Sequence, residues 1–261
     1  MNSQTFSLAS HSASMFDQPS VAAWYVGDAL TPPEKTVLID RREDFRGRRA
    51  LDLGVGAGRT TGYLLPYAQD YLGIDIAPQM LAHARKAHPT AAFREFDMLE
   101  LDRLDAGSWD YVLGSYCAFD VFEPAQRTAC LASIHRLMPS GGMFVFSAHN
   151  LGWSDAGQSP QLSWSNNPIT LARNLRQHLI SKRNFARMAS HELVSPERAM
   201  LRDRAHLWQS VYHFVRMEEQ VRELDALGFD TLELLGQDGR ALKLGDSTSA
   251  DSLLHYRCRR R

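Results

Sequence analysis

Short apolar runs alternate with amphipathic segments over the first 150 positions of the chain. The run RALDLGVG ends in glycines and reads as a buried strand. DYLGIDI is a second strand, after which Pro78 opens a helix that sets Met80, Leu81 and Ala84 on one face. AAFREFDM and WDYVLGSYCAF are the third and fourth strands. A helix from Pro124 to Leu137 then turns Leu131, Ile134 and Leu137 inward, and PSGG leads into a fifth strand, MFVFSAHN. Upstream, TPPEKTVLID opens a helix with Thr31 as cap, Pro32 at the first helical position and Glu34 completing a capping box. Strands that alternate with helices need right-handed crossovers. They predict a doubly wound α/β fold, a mostly parallel sheet covered on both faces.

The alternation stops at Asn150. Residues 151–216 hold Pro160, Pro168 and Pro196, no clear strand, and one long helical pattern from about Ile169 to Ala189. It then resumes. MEEQVRELDALGFDTLELL reads as helix, stop at Gly228, and strand, and LLHYRCRR is a final strand. The chain therefore divides into a leading segment 1–45, a core 46–150, a mainly helical insertion 151–216 and a return to the core sheet over 217–261.

A length of 261 residues suffices for a sizeable core, and a 44% apolar share is ordinary for a globular protein. The net charge of −1 gives no bulk attraction to nucleic acid. Cys117, Cys130 and Cys258 are odd in number and far apart, which predicts neither a disulfide framework nor a metal site and fits a reducing, cytoplasmic setting. The Ser-rich start has no apolar run, so it does not read as a leader peptide, and no stretch approaches the ~20 apolar residues of a membrane span.

Charge is uneven along the chain. Between Ala156 and Arg216 nine Arg/Lys stand against three acids, a net of +6 that leaves −7 for the rest. Arg173, Arg176, Arg183 and Arg187 share one helix face, while Leu171, Leu175 and Leu179 share another and are expected to dock on the core. The basic face is either solvated surface or an attraction for an anionic acceptor.

Gly54, Gly56 and Gly58 fall at the carboxyl end of the first strand, where an open α/β sheet binds its ligands. Asp75 ends the second strand 21 residues after Gly54, placed to accept hydrogen bonds from both hydroxyls of a ribose. The spacing Gly-x-Gly-x-Gly, with Arg59 after it, departs from the dinucleotide fingerprint and argues against a nicotinamide-dependent oxidoreductase. The pattern LDLGVGAGR resembles the first motif of the class I S-adenosylmethionine-dependent methyltransferases. GIDIAPQML, FREFDMLEL, WDYVLGSY and HRLMPSGGMFVFS resemble the motifs that follow it. The likeness is strong over about 46–150 and weak over 217–261.

The resemblance implies a seven-stranded sheet with an antiparallel last strand, S-adenosyl-L-methionine as cofactor, and a small-molecule acceptor. It makes 1–45 a tail with lid helices, 46–150 the cofactor-binding core and 151–216 a substrate cap. Gly54, Gly56 and Gly58 would pass the methionine part, and Asp52 would orient their loop. Asp75 would bind the ribose, Ile76 and Met80 would line the adenine, and Asp97 and Met98 would bracket it. Ser115 and Tyr116 would sit by the sulfonium, and Tyr25, beside Trp24 in the leading segment, would fold over the cofactor. Two departures stand out: Val55 and Ala57 replace small polar residues, and Ala77 replaces a capping serine. A sulfonium is already an activated donor, so a general base is needed only for an acceptor of high pKa. His149, ending the fifth strand, is the candidate base, with a loop-capping role beside Asn150 as its alternative. The fourth-strand end SYCAF lacks the Pro-Pro loop of base-amine methylation, and Cys117 lacks the preceding proline of cytosine-ring methylation, so nucleic acid is not the expected acceptor. The remaining alternative is a protein that binds the cofactor without catalysis.

Overall fold

A computed structural model describes residues 7–22, 25 and 29–261 of the chain; Trp24 lies outside the described residues. Three short helices precede the sheet: α1 (Leu8–Phe16), α2 (Pro19–Ala22) and α3 (Pro32–Lys35), the last running on as a π-turn over Thr36–Asp40. The core then alternates as the pattern predicts. Its elements are β1 (Arg49–Leu53), α4 (Thr61–Leu64), β2 (Asp70–Asp75), α5 (Pro78–Ala87), β3 (Ala92–Glu95), β4 (Tyr111–Gly114), α6 (Pro124–Leu137) and β5 (Met143–Asn150). The insertion follows as α7 (Pro168–Arg187), β6 (Leu193–Val194), β7 (Arg198–Arg202) and β8 (Val211–Val215). The chain closes with α8 (Met217–Ala226), β9 (Phe229–Leu235), β10 (Ala241–Leu242) and β11 (Leu253–Arg260).

Seven of these strands form the main sheet in the order β3-β2-β1-β4-β5-β11-β9, with β10 added at the edge. β1 to β5 pair in parallel, and β11 runs antiparallel to both β5 and β9. The last strand is therefore the antiparallel one, as the resemblance implies. The two faces are covered by separate clusters: one contains Leu51, Leu53, Ile134, Leu137, Phe144, Phe146 and Leu224, the other Val37, Leu38, Ala50, Leu64, Tyr111 and Val145. Adjacent positions of one strand fall in opposite clusters, which is what strand geometry demands of a sheet buried on both sides.

The insertion departs from the expectation of no strands. β7 pairs with β6 and β8, and β8 pairs in parallel with the end of β5 through His149↔Phe214 and Asn150↔Val215. VYHFV is buried at all five positions, so it shows none of the alternation by which a half-exposed strand is read from sequence. This extra pairing lays β8 against the end of β5 that carries His149.

Candidate functional site

One large cavity opens where β1, β2, β4 and β5 end. The glycine loop, Asp75, Asp97, Tyr116 and His149 line it from the core, Phe16 and Tyr25 from the leading segment, and His206 and Tyr212 from the insertion. Its empty volume, counted out to the open mouth, is about 1380 Å³.

The three glycines of the loop all have positive φ, at +64°, +55° and +85°, but their surroundings differ. A Cβ on Gly54 would stand 2.9 Å from Ala118 Cβ, and one on Gly58 would meet His88 and Ala84 at 3.0 and 3.2 Å. Only Gly56 has open space above it. Gly58 is therefore a packing glycine and does not line the cavity, contrary to the expectation of a direct contact. Asp52 does not line it either. It is buried beneath the loop and accepts hydrogen bonds from Thr60 Oγ1 at 2.6 Å and Tyr71 OH at 3.1 Å, which ties down the loop's far end. Burial raises the Asp52 carboxyl to about 6 despite those two bonds.

Asp75 lines the cavity while bracing it. Its Oδ2 accepts the Gly56 N–H and its Oδ1 the Ala77 N–H, both at 2.8 Å. Each oxygen retains a second lone pair. The missing serine cap at Ala77 is made good from two sides: by Asp75, and by Asp17 at the end of α1, whose Oδ1 accepts the Gln79 N–H at 2.9 Å. The leading segment is thus pinned to the start of α5. Around the acid stand Ile76, Met80, Phe96, Asp97 and Met98, all on the cavity wall. Asp97 Oδ1 holds the Leu99 N–H at 2.8 Å.

On the opposite side a buried ion pair crosses the mouth of β4. Arg59 donates to Glu34 through both terminal nitrogens, at 2.6 and 2.5 Å, and Ser115 Oγ donates to the same carboxylate. Burial alone would raise Glu34, but the Arg59 and Ser115 donors outweigh it and hold it at about 2. The guanidinium lies 4.7 Å from the ring centre of Tyr116, which meets Tyr25 edge-on at 6.2 Å. Tyr25 OH is bonded to His206 Nε2 at 2.9 Å, joining leading segment, core and insertion around the cavity. Tyr116 and Cys117 both have positive φ, +54° and +60°. Two such residues in succession cost roughly 1–3 kcal/mol each, and strain of this kind gathers at working sites.

His149 sits on the cavity wall against Tyr212 and Phe214, with ring centres 5.3 and 4.8 Å away. Asp120 Oδ2 accepts its backbone N–H at 2.7 Å and lies 2.9 Å from its Nδ1, so in the neutral imidazole Nδ1 carries the proton and Nε2 is the accepting nitrogen. Asp120 is fully buried and is held from behind by Arg127 Nε at 3.3 Å, itself locked by Glu223 and Gln220 at 2.9 and 2.6 Å. Burial works against the imidazolium, yet the neighbouring Cys117 sulfur and Asp120 carboxylate raise His149 well above its usual value. Ligand atoms of Cys117, Asp120 and His149 lie within 4.8 Å of one another, a spacing open to a metal ion. The Asp120 oxygens are already taken by the two His149 donors and Arg127, so we assign no metal there. Asn150, not His149, caps the following loop, accepting the Gly152 N–H and donating to the Thr248 and Asp251 carbonyls.

The structure thus gathers Tyr25, Gly54, Gly56, Asp75, Ile76, Met80, Asp97, Met98, Ser115, Tyr116 and His149 around one cavity. Sequence reasoning missed Phe96, Arg59 and Tyr212 on its wall, and Asp120 behind it. Glu34 is read there as a helix cap, which it is, accepting the Thr31 N–H at 2.8 Å, but the ion pair with Arg59 has no local signature. The basic residues of α7 do not line the cavity. Nor does the leucine face of α7 dock on the core: Leu175 and Leu179 are exposed, and the buried residues of that helix are Ser181 and Asn184.

Residues 50–142 match a family model described as a methyltransferase domain. The chain is 32% identical over 143 residues to the aklanonic acid methyltransferase DauC of Streptomyces sp. (strain C5), covering 51% of this chain and 62% of that one. It is 30% identical over 122 residues to the ubiquinone biosynthesis O-methyltransferase of Methylococcus capsulatus, covering 45% and 50%. The matched segments thus span between half and two thirds of these relatives' own length. Among solved structures, the 1,6-didemethyltoxoflavin-N1-methyltransferase of Burkholderia thailandensis superposes with a TM-score of 0.60 at 14% identity, covering 100% of this chain and 93% of that one.

Proposed function

We propose that residues 50–142, which match a methyltransferase domain, make this chain a class I S-adenosylmethionine-dependent methyltransferase, and that it methylates an oxygen of a small, ring-bearing, neutral molecule with His149 as general base. The observation that carries the reading is the Asp120–His149 pair on the wall of the same cavity as Gly56 and Asp75.

The cavity fits S-adenosylmethionine on its own geometry. Space above Gly56 is free of protein atoms, and the adjacent Asp75 carboxylate keeps lone pairs for two hydroxyls. Asp75 would hold the ribose, Asp97 the adenine amine, and Ile76, Met80, Phe96 and Met98 the ring faces. When bound, this cofactor supplies a methyl group made electrophilic by its sulfonium. The protein's own work is to dry the site, aim the acceptor and take its proton. Asp120 fixes the proton on Nδ1, which leaves Nε2 as the accepting nitrogen. A hydroxyl within hydrogen-bond reach of Nε2 would lose its proton as the new bond forms, a contribution of ~100-fold or more.

The neutral acceptor follows from the remaining wall, where Tyr25, Tyr116, Val121, Phe122, Tyr212 and Leu253 offer apolar area and ring faces. Arg59, the cation on that wall, is already neutralised by Glu34. We therefore prefer this reading to an anionic acceptor, whose basis was a helix face that does not line the cavity. His206 and Tyr212 make the insertion a cap over the acceptor. An oxygen acceptor agrees with the O-methyltransferase name of one relative. The test is to incubate the chain with S-adenosylmethionine and a panel of hydroxylated ring compounds and follow the added methyl by mass spectrometry. His149→Ala should cut turnover ~100-fold while S-adenosylhomocysteine binds as before. If the cofactor binds and no acceptor of any class is methylated, the protein is a cofactor-binding protein without this activity.

A further inference from the structure

Helix α7 presents an outward face that no other element among the described residues covers. Leu175 and Leu179 are exposed, Leu179 at 67%, and Ala172 and Ala186 continue their stripe at helical spacing. Ile180 is exposed beside the stripe, and Ile169 in the first turn is 81% exposed. Asn174 Nδ2 donates to the Ser163 carbonyl at 2.8 Å, which holds the preceding loop, with Trp164 at 74% exposure, alongside the helix. Single exposed apolar residues are ordinary, but a stripe of them along one helix is an interaction surface. Flanking it are Arg173, Arg176, Lys182, Arg183 and Arg187, five cations on a helix of 20 residues with no acid. Among the described residues, no ion pair engages any of these five, whereas Arg198 and Arg202 of the same insertion are both paired.

We propose that this face docks on the surface of an anionic phospholipid bilayer. The helix would lie in the interface plane, its leucines among the acyl chains and its guanidinium groups among the headgroup phosphates. No helix among the described residues is long and apolar enough to cross a membrane, so the association is one of lying on the surface. Three features select this occupant. The apolar stripe and the cations lie on adjoining strips of the exposed side, so the leucines can enter the acyl boundary while the long cationic side chains reach the headgroups, and Trp164 adds a side chain suited to that boundary. The charge is complementary to an anionic surface. A second copy of the chain fits poorly, because a two-fold contact through this face would set five cations against five. The helix also contributes no side chain to the cavity wall, so docking leaves the site unobstructed.

The experiment uses the full chain and vesicles of phosphatidylcholine alone or with phosphatidylglycerol, read by co-sedimentation. Two variants, Leu175→Gln/Leu179→Gln and Arg176→Gln/Arg183→Gln/Arg187→Gln, change only exposed side chains and should keep the wild-type circular dichroism and melting temperature. The expected result is binding to the phosphatidylglycerol vesicles alone, falling as salt rises from low to high. Each variant should bind ~10-fold or more weakly. The emission shift on vesicle binding should vanish in Trp164→Phe. Equal binding to both vesicle types, or undiminished binding by the leucine variant, overturns the proposal. So does a wild-type dimer in solution that Leu175→Gln/Leu179→Gln converts to monomer, which would assign the face to self-association.

Discussion

Asp120→Asn is the most informative single change, because it tests the base without knowledge of the acceptor. Asp120 Oδ2 receives two donors from His149, the backbone N–H at 2.7 Å and Nδ1 at 2.9 Å. Asparagine keeps the size but removes the charge. A hydrogen bond to a charged group is worth about 1.5–3 kcal/mol, and about 1.4 kcal/mol equals one pK unit. His149 should therefore titrate lower in the variant, because the carboxylate that favours its charged form is gone. Burial, the largest influence on this imidazole and the one that favours its neutral form, is then opposed by Cys117 with much less help. The assay is an NMR titration of the imidazole resonances, with His149→Gln identifying the signal. Linkage gives a second readout. The folded pKa of His149 is raised, so the imidazolium stabilises the fold below the unfolded value of about 6.5, and that contribution is lost as pH rises through the folded pKa. Wild type should lose stability across that alkaline window in urea titrations, and the variant should lose less. Once an acceptor is found, the wild-type rate should climb with pH to an alkaline plateau, and the variant should show a lower plateau reached at lower pH. An unchanged His149 midpoint in Asp120→Asn would refute the coupling, and with it the assignment of the pair.

Two further changes separate binding from support. Asp75→Ala removes the acceptor for two hydroxyls at ~1.5–3 kcal/mol each, so calorimetric affinity for S-adenosylhomocysteine should fall at least tenfold with the fold retained; unchanged affinity would sink the ribose role. Gly56→Ala and Gly58→Ala share backbone strain of about 1 kcal/mol or more, but only Gly58 meets packed atoms, at 3.0 and 3.2 Å. Gly58→Ala should lower the melting temperature the more of the two, and Gly56→Ala should weaken cofactor binding the more; the reverse order would contradict the geometry.

What the sequence made legible follows one physical rule. Features encoded within a few residues were readable: β5, the helix Pro124–Leu137 with its exact bounds, the glycine turn, and Asp75 at a strand end. Features that exist only because distant segments meet were not. Glu34 and Arg59 lie 25 residues apart, and each has a sufficient local role, the one in a cap and the other after a turn. Asp120 falls in the irregular stretch after β4, where two left-handed residues interrupt any period. Tyr212 belongs to a strand buried at every position, so no alternation marks it. The leucines of α7 misled for a related reason: amphipathic spacing says that a face is apolar and not what will cover it.

The two halves of the site consequently rest on different supports. The cofactor half is braced by backbone donors at adjacent strand ends, through Asp75 to Gly56 and Ala77. The proposed base, His149, is braced by a buried ionic chain. It runs from His149 through Asp120 and Arg127 to Glu223 on α8, and Glu223 is in turn held by Arg198 of β7 at 3.2 Å. A buried chain of this kind contributes little net stability, but removing one member leaves an uncompensated charge and is strongly destabilising. Its geometric effect is specific: α8 of the closing segment and β7 of the insertion both hold the chain that positions Asp120. On the proposed reading, the base and the covering insertion share these contacts, so proton acceptance and closure over the acceptor would depend on both.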